Sequence, residues 1–365
     1  MSDARFMDAA LALGRRNLGL TAPNPSVGAV IVQGQCVVGA GATAPCGRPH
    51  AETIALAEAG AQAKGATVYV TLEPCSHHGG TPPCADALVA AGVGRVVCAL
   101  EDPDARVAGR GLARLRAAGI AVELGVGAEA ARRDHRGHIL RVSAGRPMVT
   151  LKLARTADGY AAGDEHDPRL NITGETANRR TQTLRSLHEA IMIGVGTALG
   201  DDPLLTVRQN GLEQKALRVV LDSRLSLPPE SRLCATAETY PTLVMTTPAA
   251  PAAREAALRA RGVEVERVGA GARVDLGAAL RLLGRRGITR VFSEGGPTVA
   301  AALIRDGLAD EVLLFTAEKP LGRPGRPALA AEALAALDDL GRYVEAPCAT
   351  YGADHLRRWE RAGSP

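Results

Sequence analysis

The sequence predicts an α/β protein of two consecutive domains, residues 1–145 and residues 146–365. Three observations lead there. Short apolar runs of strand length alternate with segments of helical period along most of the chain. The 365 residues are enough for two separate cores. The alternation also breaks once, between about residues 130 and 147, where Gly145-Arg146-Pro147 precedes a fresh strand.

In the first domain, residues 3–18 place Phe6, Ala9, Ala10, Leu13 and Asn17 on one helical face. A turn-rich stretch from Thr21 to Gly28 leads into the strand Ala29–Val32. Gly34 then turns the chain into a second strand, Cys36 to Ala40, which makes a hairpin. Asn24, between two prolines, reads equally as a turn residue and as an amide aimed at a substrate. Next come a helix from His50 to about Ala63, a strand Thr67–Thr71, a helix Pro83–Ala91 and a strand Arg95–Leu100. Gly92 and Gly94 close the second of these helices. Asp102-Pro103-Asp104 and Gly109-Arg110-Gly111 lead to a further helix and to Ala121–Val126. This order fits a layered domain with the helices that begin near His50 and Cys84 on one side of the sheet.

The chemistry lies between His50 and Cys84. The stretch begins Pro49-His50-Ala51-Glu52 and ends Glu73-Pro74-Cys75, Ser76-His77-His78-Gly79-Gly80 and Thr81-Pro82-Pro83-Cys84. One imidazole and two thiols are three protein ligands, and a catalytic zinc keeps its fourth position open for water. Glu52 falls in the same first helical turn as His50, from which a carboxylate moves protons without binding the metal. His-x-Glu followed by paired cysteines is the pattern of zinc deaminases, in which metal-activated water attacks an amidine-like carbon. Their usual second half is Pro-Cys-x-x-Cys, whereas here eight residues separate the cysteines. Gly79, Gly80, Pro82 and Pro83 let that loop bulge and return Cys84 at the start of the next helix, whose N-terminus favours a thiolate. The other readings are a closed structural zinc site with His77 or His78 as fourth ligand, or two buried cysteines without metal. A structural site has no need of the glutamate beside its histidine.

The second domain opens with the strand Met148–Leu153 and the turn Ala157-Asp158-Gly159. A polar segment, 163–169, precedes Ile172-Thr173-Gly174-Glu175 and a helix to about Leu187, with N-cap chemistry from Thr173, Thr176 and their neighbours. Ala190–Val195 is a strand ending at Gly196-Thr197. Asp201, Asp202 and Arg208 then give a loop of two carboxylates and one guanidinium. Strands at Leu217–Leu221, Leu243–Thr246 and Val263–Val268 alternate with helices. Near the end, Val291 to Thr298 joins a strand to a helix. Gly295 and Gly296 let backbone amides approach a ligand and Pro297 starts the helix, which suits a phosphate and equally a tight structural turn. This is not the Gly-x-Gly-x-x-Gly fingerprint, so any dinucleotide site is of another design.

Composition narrows the function. Aromatic residues are only 2%, leaving no set of rings for exposed bases to stack on, and the net charge of +4 is spread along the chain. Nucleic acid is therefore not an expected partner, while a basic pocket for a small phosphate is compatible. Seven scattered cysteines imply no disulfide framework, and thiol ligands need a reducing compartment. The N-terminus lacks the order of a signal peptide, and no apolar run has the length of a membrane span. The expected location is the cytoplasm.

Taken together, these residues resemble the bifunctional riboflavin-biosynthesis deaminase–reductase family. His50-Ala51-Glu52, Thr71 to Gly79 and Thr81 to Cys84 look like its deaminase half, and the eight-residue cysteine spacing marks this family and not the tRNA adenosine deaminases. Lys152-Leu153-Ala154, Asp158-Gly159, Gly194 to Thr197, Asp201-Asp202-Pro203 and Glu294 to Thr298 are similar to its reductase half. The resemblance implies a cytidine-deaminase-like three-layer α/β/α domain followed by a dihydrofolate-reductase-like α/β domain. It implies zinc-dependent removal of an amino group from a 2,5-diamino-6-ribosylamino-pyrimidinone 5′-phosphate, then NADPH-dependent reduction of the ribosyl side chain to ribityl. Phosphorylated pyrimidines are thus the expected substrates, and family members self-associate. Carried over by position, His50, Cys75 and Cys84 bind zinc and Glu52 exchanges protons. Ala154, Asn171, Thr197, Asp201, Ser223, Gly295, Gly296, Pro297 and Thr298 match cofactor positions, and Arg169, Arg185, Leu205, Arg208 and Glu294 match substrate positions. The chain departs from the family at Tyr160, where arginine is usual, and at Asn171, where a tryptophan is typical. It also departs at Arg169, where a serine is usual, at Glu318, and in one extra residue between Gly163 and Leu170.

Overall fold

The computed structural model describes residues 2–77, 82–164, 167, 170–208 and 215–365. Contacts divide the chain into two compact units, Met1–Arg146 with Pro365, and Pro147–Ser364. No described helix is long and apolar enough to cross a membrane.

The first unit runs α1 (Asp3–Arg15), β1 (Gly28–Gln33), β2 (Cys36–Ala42), α2 (Ala51–Ala59), β3 (Thr67–Val70), α3 (Cys84–Ala90), β4 (Arg95–Cys98), α4 (Arg110–Ala117), β5 (Ala121–Leu124) and α5 (Ala128–Ala144). Its sheet has the order β2-β1-β3-β4-β5. Strand β1 is antiparallel to both neighbours, and β3, β4 and β5 are parallel. The alternation of side chains along each strand separates two cores. On one face Ile31, Val68, Val70 and Val96 meet Ala51 and Ala55 of α2, Leu88 of α3, and Leu112 and Leu115 of α4. On the other, Val30, Val32 and Val97 meet α1 and Ala131 of α5. The result is the expected three-layer arrangement.

Two local expectations are corrected. The buried face of α1 is Phe6, Met7, Ala10, Leu11 and Gly14, with Ala9 exposed. In so alanine-rich a helix the larger Met7 and Leu11 decide which stripe is buried. The helix after His50 ends at Ala59, because Gly60 at φ 52 leaves the helical region and a 3₁₀ turn follows.

The start of α2 matters most for the site, and β2 sets it. A Cβ on Gly41 would lie 2.3 Å from the Ala51 carbonyl oxygen, and one on Gly39 2.2 Å from that of Ala55. Bare backbone at both positions lets α2 lie directly on the strand. Gly41→Ala is therefore expected to push α2 outward and cost about 1–3 kcal/mol, read as a lower unfolding midpoint of the first unit.

The second unit contains β6 (Met148–Arg155), β7 (Tyr160–Ala162), α6 (Glu175–Ser186), β8 (Ala190–Gly194), α7 (Val195–Asp201), β9 (Leu217–Leu221), α8 (Arg232–Ala235), β10 (Thr242–Thr246) and α9 (Ala252–Arg259). It continues with β11 (Glu264–Arg267), α10 (Leu276–Arg285), β12 (Arg290–Ser293), α11 (Pro297–Arg305), β13 (Glu311–Thr316), β14 (Arg326–Pro327), α12 (Ala331–Asp338), β15 (Tyr343–Tyr351) and β16 (Asp354–Arg361). The main sheet is ordered β11-β10-β9-β8-β12-β6-β13-β16-β15. It is parallel from β11 to β13, with β16 and β15 added antiparallel. The chain steps outward from β8 to β11, and then β12 returns to the gap between β8 and β6. Connections diverge there, and ligands of open α/β sheets bind outside the carboxyl ends of strands at such a point. The expected N-cap at Thr173 is also corrected. Gly174 is the N-cap of α6 without a side-chain cap bond, and its N–H donates to Asp354 Oδ2 at 2.8 Å. The Thr173 hydroxyl is turned to Asn178 instead.

Candidate active sites

In the first unit three loops converge. His50 is the N-cap of α2, Cys75 lies beyond the carboxyl end of β3, and Cys84 is the first residue of α3. Their donor atoms all lie within 4.8 Å of one another. His50 Nδ1 is 3.6 Å from Cys75 Sγ and 3.3 Å from Cys84 Sγ. Ligand bonds of about 2.0 Å to nitrogen and 2.3 Å to sulfur in a tetrahedron would separate those atoms by roughly 3.6 Å. The donor set and its spacing fit a zinc ion. Among the described residues the group has three donors. His77 is not one of them, and His78 lies outside the described residues. The far ring nitrogen of His50 lies 3.5 Å from Asn24 Nδ2, which donates to the Gly47 carbonyl oxygen. Asn24 thus holds the turn beside the histidine.

The electrostatics differ from expectation at the cysteines. The helix N-terminus favours Cys75, because the N–H of Cys84 donates to Cys75 Sγ at 3.3 Å. Hydrogen bonds from Cys84 and His50 pull the Cys75 thiol down to about 4 against the opposing effect of burial. Cys84 is pushed far up by its hydrogen bond to Cys75, by burial and by the nearby Glu52 carboxylate. Both sulfurs bind a divalent ion as thiolates, so binding such an ion favours loss of their protons. Glu52 is 3% exposed and hydrogen-bonds with Cys84. Burial, followed by the charge on Cys75, raises its carboxyl to about 7, so it holds or releases a proton near neutrality.

Sequence reasoning missed a buried pair close by. His138 Nε2 lies 3.1 Å from Asp102 Oδ1, and both side chains are buried. Asp102 follows β4 as Cys75 follows β3, so its place at the same sheet edge was the available signal.

In the second unit the candidates gather at the carboxyl ends of adjacent strands. Ala154 is near the end of β6, Thr197 follows β8, Ser223 follows β9, and Glu294 to Thr298 follow β12. A Cβ on Gly296 would come within 3.1 Å of Thr197 Oγ1, so the turn before α11 and the start of α7 lie side by side. Ser293 Oγ, at the same turn, is fully buried with no hydrogen-bond partner among the described residues. A glycine turn at a helix N-terminus fits the phosphates of a dinucleotide cofactor. Ser223 Oγ accepts the Val274 N–H at 3.1 Å, and Asp201 closes α7.

Arg185 is not on the surface. Its guanidinium makes two bonds to Glu294, Nε to Oε1 at 2.5 Å and Nη2 to Oε2 at 3.0 Å, and a third to the Thr206 carbonyl oxygen at 3.0 Å. Burial opposes its charge, but Glu294 outweighs that and raises its pKa. Leu205 is buried at φ 50 beside Thr206, and the Arg208 N–H donates to Gln182 on α6. Four of the five substrate candidates are thereby brought to one region. The fifth, Arg169, lies outside the described residues, and Asn171 is exposed ahead of α6. Also missed was Arg218, a buried guanidinium bonded to the carbonyl oxygens of Leu204, Leu233 and Tyr240, which ties the Leu205 loop to the core.

Comparison with known proteins agrees with both halves. Residues 1–100 match the cytidine and deoxycytidylate deaminase zinc-binding region, and residues 147–340 match the RibD C-terminal domain. The chain is 39% identical to the riboflavin biosynthesis protein RibD of Escherichia coli, over 95% of this chain and 94% of that one. It is 38% identical to its counterpart in Aquifex aeolicus, over 88% of each. A solved structure of Acinetobacter baumannii RibD superposes with a TM-score of 0.87 at 36% identity, covering 99% of both chains. One from Thermotoga maritima superposes at 0.85 with 30% identity, covering 98% of both, and is described as a diaminohydroxyphosphoribosylaminopyrimidine deaminase/5-amino-6-(5-phosphoribosylamino)uracil reductase. A zinc deaminase region followed by a reductase domain makes this chain a bifunctional enzyme with zinc and NADPH as cofactors. It belongs to the RibD family of riboflavin biosynthesis proteins.

Proposed function

We propose that the first unit hydrolyses the C2 amino group of 2,5-diamino-6-(5-phosphoribosylamino)pyrimidin-4-one. The second unit then reduces the ribosyl side chain of 5-amino-6-(5-phosphoribosylamino)uracil to ribityl. What supports the first step above all is the convergence of His50, Cys75 and Cys84 with the buried carboxyl of Glu52 in hydrogen-bond contact with that cluster. His50 Nδ1 and the two Sγ atoms hold zinc. The ion, when bound, lowers the pKa of water at its open position and so supplies the nucleophile at neutral pH. Glu52 takes a proton from the attacking water and delivers it to a ring nitrogen, then carries that water's second proton to the amino group, which leaves as ammonia.

In the second unit the Gly295–Thr298 turn, Thr197 and Ser223 seat the cofactor, with Ala154, Asn171 and Asp201 beside it. NADPH supplies the hydride. Arg185 with Glu294, Leu205, Arg208 and Arg169 hold the phosphorylated substrate, arginine being suited to bidentate contact with phosphate. The protein works in the cytoplasm as an assembly of identical chains.

A coupled assay tests this reading, with zinc-loaded protein, the diaminopyrimidine phosphate and NADPH, following ammonia and cofactor oxidation together. Release of ammonia followed by NADPH loss is expected. Ammonia without cofactor oxidation would reduce the second unit to a ligand-binding role, and no ammonia at all would refute the first step. Cys84→Ser is expected to lower zinc content measured by elemental analysis and to remove ammonia release with it.

A further inference from the structure

We infer that Glu73, outside the metal cluster, is the positioning residue that sets where Cys75 stands and thereby how tightly the ion is held. The inference rests on the assignment of His50, Cys75 and Cys84 as the ligands.

Glu73 is 4% exposed and makes no ion pair with a cation among the described residues. Its carboxylate accepts four backbone N–H groups instead. Oε1 takes those of Gly111 at 2.8 Å and Leu112 at 3.2 Å, and Oε2 takes those of Gly109 at 2.9 Å and Asp102 at 3.2 Å. Its own N–H donates to the Leu100 carbonyl oxygen at 2.9 Å. A buried carboxylate is costly without such partners, and here donors and the positive end of α4 together offset it.

These bonds join three segments: the loop that carries Cys75, the stretch that follows β4, and the first turn of α4. Gly109, the N-cap of α4, has no side chain to close that helix, so Glu73 closes it from another part of the chain. The fit is close from the opposite side too. A Cβ on Gly111 would stand 2.1 Å from the Pro74 carbonyl oxygen and 3.1 Å from Glu73 Oε1. Only two bonds of main chain separate Pro74 from the Cα of Cys75. A cap needing one acceptor could be serine or threonine. Four donors converging on two oxygens require a carboxylate, and the amide nitrogen of glutamine cannot accept any of them.

The test uses the full chain, stripped of metal and reloaded with cobalt(II), whose visible spectrum reports the geometry of thiolate ligands. Parent protein is expected to bind one ion per chain, and failure to do so refutes the ligand assignment itself. If the parent binds, Glu73→Gln is expected to lose about 10–100-fold in affinity against a competing chelator, with an altered cobalt spectrum and unchanged NADPH oxidation. Leu115→Ala, which removes core packing from α4 without touching Glu73, is expected to lower the unfolding midpoint and leave the spectrum as in the parent. Should Glu73→Gln fail to fold, Gly111→Ala displaces the same loop from the other side and is expected to give the same altered spectrum. Parent-like affinity and spectrum in the folded variant, with only a lower unfolding midpoint, would overturn the inference and leave Glu73 a helix cap.

Discussion

Glu52→Gln is expected to lower ammonia release by about 10²–10⁴-fold while zinc content and NADPH oxidation stay as in the parent. The substitution preserves shape and removes the exchangeable proton. Because Glu52 is buried beside the sulfur atoms but is not one of the three clustered donors, the ion has no reason to leave with it. Loss of zinc in this variant would mean that Glu52 is a ligand. Ammonia release at the parental rate would mean that another group moves the proton.

The same residue gives a stability signature in zinc-free protein. Its carboxyl is raised from 4.5 to about 7, first by burial and next by the charge on Cys75. Over that window the native state keeps a proton that the unfolded chain has lost, so stability falls as pH rises from about 4.5 to 7. In Glu52→Gln the decline is expected to be shallower in a denaturant series across that range. An identical slope would place the carboxyl in an ordinary environment.

The second large effect belongs to Arg185 and Glu294, whose side chains are 10% and 14% exposed. Removing either partner leaves the other charge buried and uncompensated, which costs about 3–5 kcal/mol. Arg185→Met and Glu294→Leu are each expected to show this in the unfolding of the second unit. The double replacement should recover most of the loss, since an apolar pair of similar volume avoids the desolvation that the ion pair incurs. NADPH oxidation should not return with it if these groups face the sugar phosphate. Additive losses in the double variant would show that the two residues do not act as a pair.

The sites differ in how far they could be read from the sequence. The clustering of His50, Cys75 and Cys84, with Glu52 buried beside them, was legible because few residue types serve a metal centre, so composition at four positions carries the information. The strand-and-helix order was legible from periodicity, and the two-unit architecture came with it. The pairing of Arg185 with Glu294 was not, because 109 residues separate them and only the return of β12 beside β8 brings them together. Which thiol gains from the start of α3 was also hidden. It depends on where one N–H points, and that N–H points at Cys75. The hairpin of β15 and β16 was not legible because β15 is mostly exposed and its register shifts around Pro347, while β16 is rich in charged residues, which hides the alternation that marks a strand.

The apolar clusters of the two units share no described residue: one set of side chains closes around the five-stranded sheet and another around the nine-stranded one. A substitution inside one of these interiors therefore bears first on the catalyst built upon that sheet.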